Sequence, residues 1–277
     1  MKYYRDTIVA GKTVMTKIFA SARVKNKKGE KREPKISPTR ESVQKVNLRN
    51  AVWTLCALLN EYFGKGDMWI TFTYASAPDK EQAKKDLDNL IKNLRKHHKK
   101  NNRIFRWIAA TEYKNSRIHH HFVCSRTDLE IIEKYWPHGW VTPKPLDASG
   151  NYLKLAEYII KETDKTFREN DSPTKARYRR SRNMPMPEAS REVVTDRVMR
   201  NGPVAPKGYD VDKDTVHRYE HGILEIDCMQ YIAISRTEEP RLKRWYRGKK
   251  VKLEGEYKVP EERQLTFSEL IWDGVIA

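Results

Sequence analysis

Six residues, Ile118-His119-His120-His121-Phe122-Val123, limit what this chain can build more than any other stretch. A strand sends successive side chains to opposite faces, so His119 and His121 project together while Ile118, His120 and Phe122 turn away. The segment from Phe105 to Tyr113 also has strand character, and Lys114-Asn115-Ser116-Arg117 is the right size for a hairpin loop. Closing that hairpin with Tyr113 opposite Ile118 sets Glu112 across from His119 and Ala110 across from His121, all on one face. Two imidazoles and a carboxylate then surround a single point, and the small Ala110 leaves room for an ion. The opposite face carries Trp107, Ala109, Ile118, Phe122 and Cys124, a set suited to burial. A plainer reading is an exposed strand end in which Glu112 is an ordinary cross-strand charge partner.

Downstream, Tyr152, Leu155, Ala156, Ile159 and Ile160 form the apolar stripe of a helix over 151–162, with Asn151 a competent N-cap after Gly150. Tyr158 falls at the edge of that stripe, and Lys161, three residues on, is its neighbour on the helix surface. A tyrosine at such a boundary commonly packs its ring and offers its hydroxyl to water. In the sharper reading its oxygen is a nucleophile, with Lys161 easing phenolate formation and steadying charge on a phosphoryl group. Tyr152, six residues upstream, lies about 240° away around the helix and faces elsewhere.

Taken in order, Glu112, His119-His120-His121 and Tyr158-Ile159-Ile160-Lys161, preceded by the strand Ile70-Thr71-Phe72-Thr73-Tyr74, resemble the HUH endonucleases, specifically rolling-circle replication initiators of phage and plasmid type. His120 departs from the pattern, which usually has an apolar residue there. The resemblance implies an α+β fold of ferredoxin or RRM-like type, with an antiparallel central sheet, helices packed on one face and the other face left for DNA. It implies Mg2+ or Mn2+ held by Glu112, His119 and His121, with Tyr158 and Lys161 as the catalytic pair. Single-stranded or hairpin origin DNA would be nicked through a 5′-phosphotyrosine and later rejoined, alongside the host helicase and replication machinery. A relaxase or single-strand transposase of the same superfamily would use the same chemistry, and a nonenzymatic origin-binding protein could use the same fold.

Composition agrees with a nucleic-acid partner. The excess of 55 Lys and Arg over 37 Asp and Glu gives a net charge of +18, a bias toward phosphate backbones that specifies no reaction. Cys56, Cys124 and Cys228 are odd in number and lack Cys-x-x-Cys spacing, as expected of reduced thiols. Strand alternation turns Cys124 away from the histidine pair, which argues against a shared zinc site. No segment has the length to cross a bilayer and the N-terminus lacks the apolar core of a signal sequence, so a soluble protein of the bacterial cytoplasm is expected. No Gly-x-x-x-x-Gly-Lys-Ser/Thr motif occurs, leaving strand separation to a partner.

The chain divides into an N-terminal β-hairpin extension (1–35) turning at Ala10-Gly11-Lys12, a nuclease domain (36–168) and a basic C-terminal region (169–277). The spacing in the second part predicts a helix from Thr39 to Phe63, a strand from Trp69 to Tyr74, and a helix capped by Asp79 that runs to about His98. His97 and His98 read as solvated groups serving the dipole of its last turn. A short helix near Asp128 to Tyr135 and a strand around Trp140 and Val141 complete the pattern. In the third part, Arg177, Tyr178, Arg179, Arg180 and Arg182 read as a nucleic-acid contact, arginines on phosphates and the ring on a base, with a solvated loop as the alternative. The stretch Arg241 to Lys252, with Trp245 and Tyr246, is similar. Gln264-Leu265-Thr266-Phe267 resembles the peptide by which bacterial replication proteins engage the sliding clamp, although an apolar terminal element explains it equally.

Overall fold

A computed structural model describes residues 3–20, 41–113, 118–164, 176–220, 226–237, 245–246 and 249–250. The sheet that matters for function is formed by β3 (Met68–Thr73), β4 (Trp107–Glu112), β5 (His119–Cys124), β6 (Val141–Pro145) and β7 (Arg179–Arg180), in the spatial order β6-β3-β5-β4-β7. All four pairings are antiparallel. Pro143 and Pro145 lie in β6, an edge strand, where a missing ladder donor is tolerated.

Strand alternation distributes the core to both sides of this sheet. Ile70, Phe72, Trp107, Ala109, Phe122 and Cys124 meet α2 (Lys80–Lys100) and α3 (Leu129–Tyr135). Helix α2 buries Ala83, Leu87, Leu90, Ile91 and Leu94, and Asp79 accepts a 2.7 Å hydrogen bond from the Gln82 N–H at its start. Each buried leucine or isoleucine stabilises by about 1.5–3 kcal/mol against roughly 1 for the cap, so packing holds this helix and the cap sets where it begins. On the other face Ile108, Ala110 and Val123 join Ala156, Ile159 and Ile160 of α4 (Leu153–Asp164) and Leu55, Leu58 and Leu59 of α1 (Glu41–Tyr62) in a second core.

The α+β class and antiparallel central sheet follow the sequence. The layering goes further than helices on one face, since α1 and α4 pack on the side expected to be open. What stays uncovered on that side is β6, where Thr142 and Lys144 are exposed.

A second sheet has the order β8-β1-β2-β10-β9, built from β1 (Tyr3–Ala10), β2 (Thr13–Ala20), β8 (Ser190–Val194), β9 (Tyr209–Glu220) and β10 (Asp227–Ser235). The predicted hairpin is its centre, in register from Tyr3↔Ala20 to Ala10↔Thr13. Gly11 turns it with φ 52°, and a Cβ there would overlap the Asn60 carbonyl oxygen of α1. Tyr3 pairs with Val194 and Ile18 with Met229, so the first and last described parts of the chain share one sheet. Sequence reading anticipated none of β8, β9 and β10. The short helix α5 (Arg197–Asn201) packs its Met199 with Ile18, Met229 and Tyr231. Trp245–Tyr246 and Lys249–Lys250 pair as a minimal ladder, whereas Gln264–Phe267 lies outside the described residues.

Candidate metal centre and tyrosine

Strand pairing sets Glu112 opposite His119 and Ala110 opposite His121, the register that the hairpin spacing predicts. From the other neighbour, Thr73 and Thr71 stand opposite the same two histidines. One ligand atom from each of Glu112, His119 and His121 lies within 4.8 Å of the others, and His119 Nε2 is 3.0 Å from Glu112 Oε2. Donors that share one ion at about 2.0–2.3 Å stand at most ~4.6 Å apart, so small side-chain adjustments close the set. His121 supplies the test of fit. Its two ring nitrogens are buried and neither has a hydrogen-bond partner, an arrangement costly for a group that serves packing alone. Burial, reinforced by His119, lowers its pKa to about 4, keeping the imidazole neutral and its lone pair available at physiological pH. The three residues therefore suit a divalent cation, and the carboxylate favours a hard or borderline one.

His120 belongs to the other face and is fully buried there. Its Nδ1 is 2.8 Å from Thr111 Oγ1 and its Nε2 is 2.9 Å from the Tyr74 hydroxyl, so both nitrogens are occupied. Burial, followed by the charges of His119 and His121, lowers its pKa to about 3, and the neutral ring packs edge-on to Trp136. This polar crosslink among three strands replaces the apolar residue usual at this place in the resembled pattern. Cys124 is buried among the α2-side residues, away from the metal candidates.

Tyr158 reaches the metal face from α4. Its ring stands edge-on to His121, with centroids 5.1 Å apart, and to Trp69 at 5.5 Å, and the side chain remains 40% exposed. Tyr152 is buried instead and donates its hydroxyl to the Asp147 carbonyl at 2.8 Å. Partial burial and the carboxylates of Glu162 and Glu112 raise the Tyr158 pKa, so the phenol is neutral. The lowering by Lys161 that the sequence suggested does not prevail. Lys161 is exposed one helical turn along, available to an anion bound near the hydroxyl.

The arginine segment is dispersed by the fold. Residues 179–180 form β7, which extends the sheet at β4, pairing Ala109 with Arg179 and Ile108 with Arg180. Arg177 donates to Asp164 at 2.6 Å and Arg179 to Asp88 at 2.5 Å, while Tyr178 packs half-buried on the α1 and α4 core. Arg180 donates to the Met184 carbonyl with its outer guanidinium edge still exposed, and Arg182 is exposed. Two of the four cations thus already have carboxylate partners. His98 also differs from its reading, being buried with Nε2 2.8 Å from Thr127 Oγ1 rather than solvated. Sequence reasoning missed Trp69, Thr142, Lys144 and Trp140 on the site's face, because only the pairing of β6 with β3 reveals that they share it.

Fold and site together define a class: an α+β protein whose central antiparallel strand presents two histidines to a neighbouring carboxylate, beside a tyrosine carried on a packed helix. Within it, residues 67–167 match the family of the replication-associated protein ORF2, a span running from β3 through α4 and holding Glu112, His119, His121, Tyr158 and Lys161. The match agrees with the likeness to rolling-circle replication initiators read from the motif order, and it supports a part in DNA replication. No curated protein and no solved structure matches the chain. No helix among the described residues is long and apolar enough to cross a membrane.

Proposed function

We propose that the chain initiates rolling-circle replication by nicking and rejoining single-stranded or hairpin origin DNA, with Tyr158 as nucleophile and Glu112, His119 and His121 as ligands of Mg2+ or Mn2+. The observation that carries this reading is the Tyr158 ring lying 5.1 Å from that of His121, which puts a solvent-accessible phenol beside the candidate ligand set. A divalent ion bound there supplies Lewis-acid polarisation of the scissile phosphate. The Tyr158 oxygen forms a bond to phosphorus as the bond to the 3′-oxygen breaks. The phenolic proton departs and the 3′-oxygen acquires one, leaving a 5′-phosphotyrosine and a free 3′-hydroxyl. Because one phosphoester replaces another, rejoining needs no nucleotide cofactor. Lys161, beside Tyr158 on the helix surface, orients the phosphate and offsets its charge. The neutral state of the phenol requires that proton loss accompany attack rather than precede it.

The deciding experiment is incubation of the protein with labelled origin single strands and Mn2+, followed by denaturing electrophoresis. Wild type gives a covalent adduct that chelator abolishes. Tyr158→Phe removes one oxygen from a half-exposed side chain, so melting temperature and DNA affinity stay put, within about 0.5 kcal/mol for stability, while the adduct disappears. Undiminished adduct in Tyr158→Phe transfers the role to another tyrosine. Absence of any metal-dependent adduct in wild type leaves origin binding without chemistry as the function of this face.

A further inference from the structure

The antiparallel register of β6 on β3 continues beyond the strand ends: the Thr73 N–H donates to the Trp140 carbonyl at 3.0 Å and the Ala75 N–H to the His138 carbonyl at 2.9 Å. Trp140 therefore stands opposite Thr73, as Thr73 stands opposite His119 and His119 opposite Glu112. Directly opposed residues of neighbouring strands share a face, so one row across the sheet runs Trp140, Thr73, His119, Glu112. Two interstrand spacings separate Trp140 from His119, about 10 Å along the sheet. The next rows place Thr142 with Thr71 and His121, and Lys144 with Trp69.

Exposure along β6 alternates with the pleat. Val141 leans into the α2-side core while Trp140, Thr142 and Lys144 are exposed on the metal face. Trp140 is 60% exposed, and it and Tyr158 are the two aromatic side chains among the large exposed apolar groups of the described residues. Both rise from the same face. The indole's backbone is fixed in place: a Cβ on the preceding Gly139 would overlap the Thr73 carbonyl oxygen and come within 2.8 Å of Tyr74 Cα, so only glycine lets this segment close on the end of β3. Beyond it, the Lys144 ammonium lies 5.4 Å from the Trp69 ring centre, on the side where Trp69 meets Tyr158.

We infer that Trp140 is a base-stacking platform for single-stranded DNA, holding a nucleotide next to the scissile phosphate, and that β6 is the track that the strand follows, with Lys144 on its backbone. The inference rests on the reading of this face as the DNA-binding one and adds where the strand lies. An exposed indole offers a flat π surface that accepts any base, the neighbouring threonines offer hydroxyls to phosphate or sugar, and the net charge of +18 attracts a polyanion.

The test measures binding of a labelled oligothymidylate by fluorescence anisotropy, in chelator and in the Tyr158→Phe background, so that no cleavage is needed. Adding Trp140→Ala weakens binding by about tenfold or more while leaving the slope of log K against log salt unchanged, because stacking releases no counterions. Adding Trp140→Phe retains most of the affinity. Lys144→Ala lowers the salt slope by roughly 0.7. Ultraviolet crosslinking of bromodeoxyuridine-substituted strand to wild type gives an independent measure, with the crosslink expected on the peptide that contains Trp140. Binding indifferent to Trp140→Ala, a crosslink confined to other peptides, or failure of the protein to bind oligothymidylate overturns the inference. If Trp140 governs binding but wild type makes no adduct with origin DNA, the nicking reading fails and the stacking platform stands. If the adduct forms and binding ignores Trp140, the platform falls alone.

Discussion

Replacing His120 with leucine separates the two faces of the histidine strand. The side chain is wholly buried, Leu is of comparable size, and the loss is chiefly of hydrogen bonds to Thr111 and Tyr74. A buried partner left unsatisfied costs about 1–3 kcal/mol. Thr111 is only half-buried and the Tyr74 hydroxyl retains the Ala83 carbonyl at 3.4 Å, which puts each loss toward the lower end. Leucine adds apolar burial in partial compensation, and the expected destabilisation is roughly 2 kcal/mol, a few degrees in melting temperature for a chain of this size. Because β5 still directs His119 and His121 to the other face, Mn2+ affinity of the folded fraction should change less than tenfold. His121→Ala should do the reverse, removing a group whose nitrogens have no hydrogen-bond partner and depressing Mn2+ binding strongly. Differential scanning calorimetry with and without Mn2+, and titration calorimetry below the melting range, read both quantities. If His120→Leu abolishes Mn2+ binding while His121→Ala spares it, the assignment of His121 to the metal is refuted.

Three further outcomes follow from other parts of the fold. Gly139→Ala forces its new methyl against the backbone of residues 73–75 and should cost on the order of 1–3 kcal/mol by thermal denaturation, where an unchanged melting point would contradict the close approach. Burial, then the positive charges of His97 and Arg103, lower the pKa of His98 from 6.5 to about 4. The unfolded chain therefore takes up the proton first, so this contribution is complete above pH 6.5 and is lost as pH falls toward 4, up to about 3 kcal/mol. Urea unfolding across that window should show the decline, and His98→Gln should flatten it. In the arginine segment, Arg180→Ala with Arg182→Ala should lower the salt slope of DNA binding by up to about 1.4 with little effect on stability, whereas Arg177→Ala with Arg179→Ala should destabilise by freeing Asp164 and Asp88. Equal salt slopes in the first pair and wild type would confine DNA contacts to other basic groups.

Local order was legible wherever one periodicity dominated. Alternation within Phe105–Val123 and a loop of four residues dictated that Glu112, His119 and His121 share a face, because a hairpin's register follows from its loop length. The 3.6-residue stripe of α4 likewise determined that Tyr152 is buried and Tyr158 is at the rim. Neither pattern says which side of the sheet a helix covers. That choice belongs to tertiary packing, which seats α4 on the histidine face and thereby brings Tyr158 to His121, while α1 closes the space behind it. Charge runs are the least legible of all. Arg177 and Arg179 read as free cations along the chain, and only the fold supplies Asp164 and Asp88 as their partners. Trp140 is the converse case: a residue without periodic context becomes part of the site because β6 pairs with β3, a long-range contact for which sequence offers no local rule.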